Sequence, residues 1–361
     1  MKSALICMLQ LHKNSGSART AFENIRYFKS KGYEVHVVSM TIDKDSIKAE
    51  GAIPHKVLPW FKGTGMWRRR WYNWQVQILR QKLNPSITVG HGDIQQQDVL
   101  TLHNCVFFAS ELIHGKPLDP QHEMAQTHGP ILKNQSFKKM IANSELMKSD
   151  TVKRFGVTPE KIEVVYPALE THIFKPVAEK KAELRKRFSF PDKVIVSLVT
   201  SGNFKKRGLD IFIEAIEALP DEIKALANFR VMGKDDPGAL RSSLLTFDPG
   251  LDDIQNYYNA IDVFVLPARI EEFGRVVLEA MGCGLPVITT DKVGAGELLT
   301  GASREFVIPS HNATALKEAL IKLITSKEKR LELGSLNAKL ALNDSEANVS
   351  LKFDKVFLAL K

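Results

Sequence analysis

Residues 262–290 constrain the chain most, because they read as strand, loop, helix and strand in immediate succession. Residues 262–267 and 286–289 are short apolar runs of strand type, and Val276, Val277, Leu278 and Met281 between them recur at helical spacing. In an open parallel sheet the loop at a strand's carboxyl end is where ligands bind. This loop and the helix after it carry two carboxylates, Glu271 and Glu279, with Phe273, Gly274, Arg275 and Val276 between them.

The same alternation runs through the 361 residues. Residues 2–8 read as a buried strand, followed by a polar loop that contains Gly16. A helix comes next, with Phe22, Ile25 and Phe28 on one face, Gly32 at its end and a second strand at 35–40. Further short strands are expected at 87–89, 99–102, 139–142 and 162–165. Around residues 166–193 the pattern breaks into Pro167, Pro176, Pro191 and a charged helix at 179–188, which marks a linker. After it the alternation restarts with a strand at 194–199, a basic loop at 200–208, a helix at 209–219, a strand at 229–232, a turn-rich loop at 233–238 and a helix at 251–259. The expected class is α/β, two Rossmann-like doubly wound parallel-sheet domains, 1–166 and 167–344. A last helix, 345–361, is open to either domain, including a return to the first.

Composition narrows the function classes. Cys7, Cys105 and Cys283 are far apart and lack metal-ligand spacing, which argues against a disulfide framework and a structural zinc site and fits a reducing cytoplasm. No apolar run reaches the ~18 residues of a membrane-spanning helix, and the start of the chain reads as a strand, not a signal peptide. The net charge of +9 lies wholly in residues 1–165, with 23 Lys+Arg against 14 Asp+Glu; the remainder holds 27 of each. Arg68, Arg69 and Arg70 stand beside Trp67, Trp71, Tyr72 and Trp74, a combination suited to an anionic membrane surface, or equally to a solvated basic helix with its aromatics in the core. No nucleic-acid motif accompanies the patch, so no nucleic-acid partner is expected.

The loops suggest specific chemistry. Lys205, Lys206 and Arg207 follow the strand at 194–199, so that at least one cation is expected to be free for a ligand. Gly274 opens a helix and lets the neighbouring amides approach a phosphate. If that helix starts near Gly274, Glu279 lies in its second turn, where it can accept from vicinal hydroxyls, while Glu271 stays in the loop. Of His91, His103, His114, His122 and His128, none forms a metal-binding helical pair, and His103 follows a strand's carboxyl end, where it is suited to a cleft. Asp43-Lys44-Asp45 matches a D-x-D, read mainly as solvated loop.

Glu271 and Glu279 in the context EEFGRVVLEAMGCGLPVI closely resemble the E-x7-E signature of the retaining glycosyltransferases of family 4, which have the GT-B fold of two Rossmann-like domains facing a central cleft. Residues 141–144, 161–165 and 202–210 resemble further stretches of that family, and the spacing in 204–210 is most similar to that of the lipopolysaccharide core glucosyltransferases. The resemblance implies that Glu279 binds ribose hydroxyls and Glu271 sugar hydroxyls. It further implies that amides of Phe273, Gly274, Arg275 and Val276 hold sugar and diphosphate, that Lys206 and Arg207 neutralise the leaving diphosphate, that Gly16 lets backbone approach the same phosphates, and that His103 lies near the donor sugar. Ser15 stands where the family has a first loop glycine, Lys206-Arg207 reverses the related Arg-Lys order, and Ala168 and Glu170 replace Gly and Asp of the linker. The implied activity is sugar transfer with retention from a nucleoside-diphosphate sugar, UDP-sugar favoured, to a glycan or glycolipid acceptor, without metal or other cofactor, by a cytoplasmic protein peripheral to the inner membrane face. A nucleotide-sugar or glycan binding protein, or an epimerase of the same fold, is the alternative.

Overall fold

The structure, a computed structural model, describes residues 2–11, 16–59 and 65–360. The chain divides into two units, Met1–Ala168 with Val349–Lys361, and Leu169–Asn348.

In the first unit the strands are β1 (Ser3–Cys7), β2 (Gln10–Leu11), β3 (Glu34–Ser39), β4 (Thr41–Ile42), β5 (Ile53–Lys56), β6 (Ile87–Gly90), β7 (Val99–Thr101), β8 (Lys139–Ala142) and β9 (Ile162–Val164). Its helices are α1 (Gly16–Ser30), α2 (Lys44–Ala49), α3 (Met66–Leu83), α4 (Val106–His114), α5 (Glu123–Lys133) and α6 (Glu145–Phe155). Seven strands form one sheet in the order β5-β3-β1-β6-β7-β8-β9, with β2 and β4 paired beside it. Every pairing is parallel. Parallel strands covered by helices on both faces must be apolar throughout, and the fully buried run from Ala4 to Cys7 is an example.

The second unit holds α7 (Lys181–Arg187), β10 (Val194–Val199), α8 (Leu209–Glu217), α9 (Asp221–Leu226), β11 (Ala227–Gly233), β12 (Leu245–Pro249), α10 (Ile254–Ala260), β13 (Val263–Leu266), α11 (Arg275–Gly282), β14 (Val287–Thr290), β15 (Val307–Ile308), α12 (Ala313–Thr325) and α13 (Lys327–Ala341). Its six parallel strands run β12-β11-β10-β13-β14-β15. This is the doubly wound order, in which the direction of progression reverses between the first and fourth strands. In the first unit the reversal falls between β1 and β6, and in the second between β10 and β13.

The last helix, α14 (Glu346–Phe357), sends Val349, Phe353, Val356 and Phe357 into the core built on α1, beside Ile25, Tyr27 and Phe28. Tyr27 Oη donates to Asp354 at 2.8 Å, and Lys31 pairs with the same carboxylate. Each buried phenylalanine contributes roughly 1.5–3 kcal/mol, enough to decide where a short terminal helix packs. The helix read from sequence at 251–259 starts later, at Ile254, after Asp253 at its N-cap.

Candidate active site

The loops at the reversal point of the second unit are tied together by backbone and charge. The loop after β10 ends at Gly208, whose φ is +75° and whose absent Cβ would lie on the Pro267 carbonyl oxygen. Only glycine fits there, so the two loops can run in contact. Arg269 N–H donates to the Lys206 carbonyl at 2.9 Å. The Arg269 guanidinium donates to the Lys205 carbonyl at 2.6 Å and forks onto both Asp210 oxygens at 2.7 Å. Against the opposing push of burial, this fork holds the Asp210 carboxyl below its usual range.

Two cations and two carboxylates meet on these loops. Lys206 Nζ lies 2.9 Å from Glu272 Oε2 and 3.8 Å from Glu271 Oε2. Arg207 Nη1 pairs with Glu271 Oε2, and its Nε donates to Thr200 Oγ1 at 3.3 Å. All four side chains are mostly shielded from solvent, Glu272 most of all at 6% exposure. Burial lowers the Arg207 pKa and the Glu272 charge opposes that; a guanidinium stays charged in either case. Of the three adjacent cations, Lys206 and Arg207 are thus taken up in ion pairs. The contact between the two loops brings carboxylates within reach of both, and Lys205 is the exposed member of the run.

Gly274 precedes α11 with φ at +91°, where a Cβ would lie 3.1 Å from Glu271 Cγ and 3.2 Å from Val293 Cγ1. The N-cap Gly274 has no side chain with which to cap the helix, and α11 begins at Arg275, which puts Glu279 in the second turn and leaves Glu271 in the loop. Glu271 is fixed by its main chain, its N–H donating to Lys292 O at 2.9 Å and its carbonyl accepting from Gly294 N at 3.0 Å. The Phe273 side chain is buried, as is Glu279, whose Oε2 accepts from Tyr258 Oη at 3.4 Å. Burial, then the Glu279 charge, pushes the Cys283 thiol up to about 12, so that it is no nucleophile. Arg275 and Val276, on the first turn, are half-buried.

Gly16 and His103 belong to the first unit. Gly16 is the exposed first residue of α1; Ser15, beside it, lies outside the described residues. His103 follows β7 and is bonded through Nε2 to His91 Nδ1 at 2.8 Å, the two rings stacked at 10° and 5.1 Å between centroids. Burial pushes His91 down to about 4, and it does the same to His128. Asp93, after β6, accepts from Leu9 N–H at 2.8 Å and from buried Arg69, which also reaches Glu123. The D-x-D has a local role: Asp43 caps α2 by accepting from Ser46 N–H at 3.1 Å, with Asp45 in the first turn.

Sequence reasoning missed Glu272, Tyr258 and the part played by His91. Glu272 was hidden by its neighbour Glu271, and no local spacing links it to Lys206; only the adjacency of β10 and β13 does. Similarly, β6 must pair with β7 before His91 can be seen to face His103.

Residues 195–326 match the family model described as Glycosyl transferases group 1, and residues 14–172 match the one described as Glycosyltransferase Family 4. The chain is 27% identical over 216 residues to a D-inositol 3-phosphate glycosyltransferase of Streptomyces bingchenggensis, an alignment covering 55% of this chain and 47% of the relative. Among the curated relatives it matches, several are spanned for only about half of their length. The fold is that of the solved structure of WaaG, a glycosyltransferase involved in lipopolysaccharide biosynthesis, with a TM-score of 0.78 at 21% identity over 98% of this chain and 99% of that one. HepE of Anabaena, solved in complex with UDP and glucose, is similar with a TM-score of 0.77 at 16% identity over 99% of this chain and 100% of that one. The two family matches follow one another along most of the chain, each on one of the doubly wound units, and the chain belongs to the glycosyltransferases of group 1 and family 4, with the GT-B fold.

Proposed function

We propose that the chain is a retaining hexosyltransferase that moves a sugar from a nucleoside-diphosphate sugar, UDP-sugar favoured, to a hydroxyl of a lipopolysaccharide or other cell-envelope glycan. The observation that carries this reading is the cluster of Lys206, Arg207, Glu271 and Glu272 beside the glycine-led start of α11. A diphosphate needs positive charge where its leaving oxygen becomes anionic. Lys206, Arg207 and the helix-start amides of Phe273, Gly274, Arg275 and Val276 supply it, in the part that a divalent cation plays elsewhere.

Donor binding exchanges ionic partners. The diphosphate takes Arg207 and Lys206, and Glu271, released from Arg207, accepts from sugar hydroxyls. Glu279 accepts from the ribose, each charged hydrogen bond contributing roughly 1.5–3 kcal/mol. The acceptor oxygen bonds to the anomeric carbon on the face from which the diphosphate leaves, the carbon–phosphate-oxygen bond breaks, and the acceptor proton passes to a departing phosphate oxygen. UDP and glucose in the Anabaena relative and the lipopolysaccharide role of WaaG support the donor and acceptor classes. The basic excess of residues 1–165 supports a glycolipid at the inner face of the cytoplasmic membrane; among the described residues no helix is long and apolar enough to cross one.

The test is incubation with UDP-sugars and lipopolysaccharide-core or glycolipid acceptors, in buffer with a metal chelator, with NMR of the product linkage. Acceptor-dependent release of nucleoside diphosphate and a retained anomer are expected. Saturable binding without release, donor consumption without acceptor, an inverted product or strict dependence on added manganese would each overturn the corresponding part.

A further inference from the structure

We propose that the outer stripe of α3 is a docking surface for an anionic lipid bilayer. Residues 51–92 contain no Asp or Glu and seven Lys+Arg, and all four tryptophans of the chain, Trp60, Trp67, Trp71 and Trp74, fall within them. Trp60 lies outside the described residues. The inner face of α3 is committed to the fold through Arg69, Tyr72 and Val76, all buried. Trp67, Arg70, Trp74 and Ile78 fall on the opposite side, within a stripe about 80° wide at the ~100° per residue of a helix. Trp67 is 65% exposed, Trp74 53% and Ile78 43%. Leu58, 67% exposed, extends the patch, since its carbonyl accepts from Trp71 Nε1 at 3.0 Å.

Large apolar side chains at this exposure, in a stripe ordered by internal contacts, call for a partner. The Arg70 guanidinium sits 5.3 Å from the Trp67 ring centre, and the Trp71 and Trp74 ring centres lie 5.0 Å apart with the rings tilted by 35°. Tryptophan is the residue that settles where hydrocarbon meets water, and cations beside it favour anionic headgroups, each multiplying partition about fivefold. A second copy of the chain is disfavoured as the occupant, because a two-fold interface would set the same acid-free, cationic stripe against itself.

The inference deepens the proposal of a membrane-borne acceptor, and its test does not need turnover. Because all four tryptophans lie between residues 60 and 74, the intrinsic emission of the protein reports this region alone. Vesicles of phosphatidylcholine with about one-third phosphatidylglycerol should bind the full chain and shift its emission to the blue, while pure phosphatidylcholine vesicles should not. Trp67→Ser with Trp74→Ser should weaken vesicle binding at least ~10-fold, and Arg70→Glu a further ~5-fold or more, with the melting temperature and nucleotide-sugar turnover of the soluble protein unchanged. Absence of binding by the wild type, undiminished binding by the variants, or concentration-dependent dimerisation that the variants abolish would overturn it. Vesicle binding by a protein inactive on every nucleotide sugar would leave the surface standing while the catalytic reading fell.

Discussion

Replacing Lys206 by methionine separates two jobs that the structure gives one side chain. Its Nζ stands 2.9 Å from Glu272 Oε2 and 3.8 Å from Glu271 Oε2, and the Glu272 side chain is 6% exposed. Removing one partner of a buried pair costs about 3–5 kcal/mol, because the other charge is left desolvated. Arg207 stays beside the carboxylates, so the low end of that range, about 3 kcal/mol, is expected for Lys206→Met, and a similar loss for Glu272→Gln. The double variant should lose about 1–3 kcal/mol less than the sum. Catalysis should behave otherwise: Lys206→Met should lower the transfer rate about 10²–10³-fold with or without Glu272→Gln, whereas Glu272→Gln alone should retain most of it. Urea unfolding followed by far-UV circular dichroism supplies the stabilities and initial rates supply the activity. Tryptophan emission serves as an internal reference, since every tryptophan is in the first unit. Stability effects additive within about 0.5 kcal/mol, or a cost confined to the tryptophan transition, would refute the ion pair. A rate restored in the double variant would refute the catalytic role.

Gly208→Ala should destabilise by about 2 kcal/mol or more, because it combines a positive φ with a Cβ placed on the Pro267 carbonyl; an unchanged urea midpoint would contradict this. Glu279→Gln should raise KM for the nucleotide sugar about 10–100-fold with kcat little altered and stability near wild type, since an amide oxygen can still accept from Tyr258; a fall in kcat at constant KM would sink the ribose role. Acid should loosen the first unit. His91 and His128 are held neutral by burial, with pKa values down to about 4 from 6.5, so the unfolded chain binds more protons between those limits. Stability is thus fully present above pH ~6.5 and lost on falling towards pH ~4, by up to about 3 kcal/mol per histidine. Asp93, whose pKa burial raises, acts in the opposite sense at the acid end. A tryptophan-monitored melting temperature equal at pH 7.5 and 5 would disprove the effect.

What could be read in the sequence was whatever is determined locally. Residues 194–199 are apolar but for Ser197, whose hydroxyl is bonded to Tyr257, because that strand is covered on both faces, and the strand occupies those residues. β5 was not legible: Ile53–Lys56 includes a proline, a histidine and a lysine and becomes a strand only as the edge partner of β3. β12 lies at the edge of the other sheet and is likewise only partly buried. The three arginines at 68–70 read as one basic block. The helical phase splits them, since Arg69 shares a face with Tyr72 and Val76 at i+3 and i+7 and turns inward, whereas Arg70 turns out. That separation was available in the spacing once the helix was granted.

Long-range adjacency was not available, and it decides the chemistry. Both units tie the loop after their first strand to the loop after the fourth strand of the winding order, the place where progression along the sheet reverses. In the first unit the tie is Leu9 N–H to the Asp93 carboxylate, with Arg69 behind it; in the second it is Arg269 N–H to the Lys206 carbonyl, with Glu271 and Glu272 behind it. These loop pairs gather buried charge because the strands diverge there and leave a crevice lined by backbone amides. Two cations held in such a crevice need carboxylates beside them to stay desolvated at tolerable cost. Glu272 is thus required by the same physics that makes Lys206 and Arg207 useful. Its absence from a reading based on spacing follows from the fact that its partner lies 66 residues away along the chain.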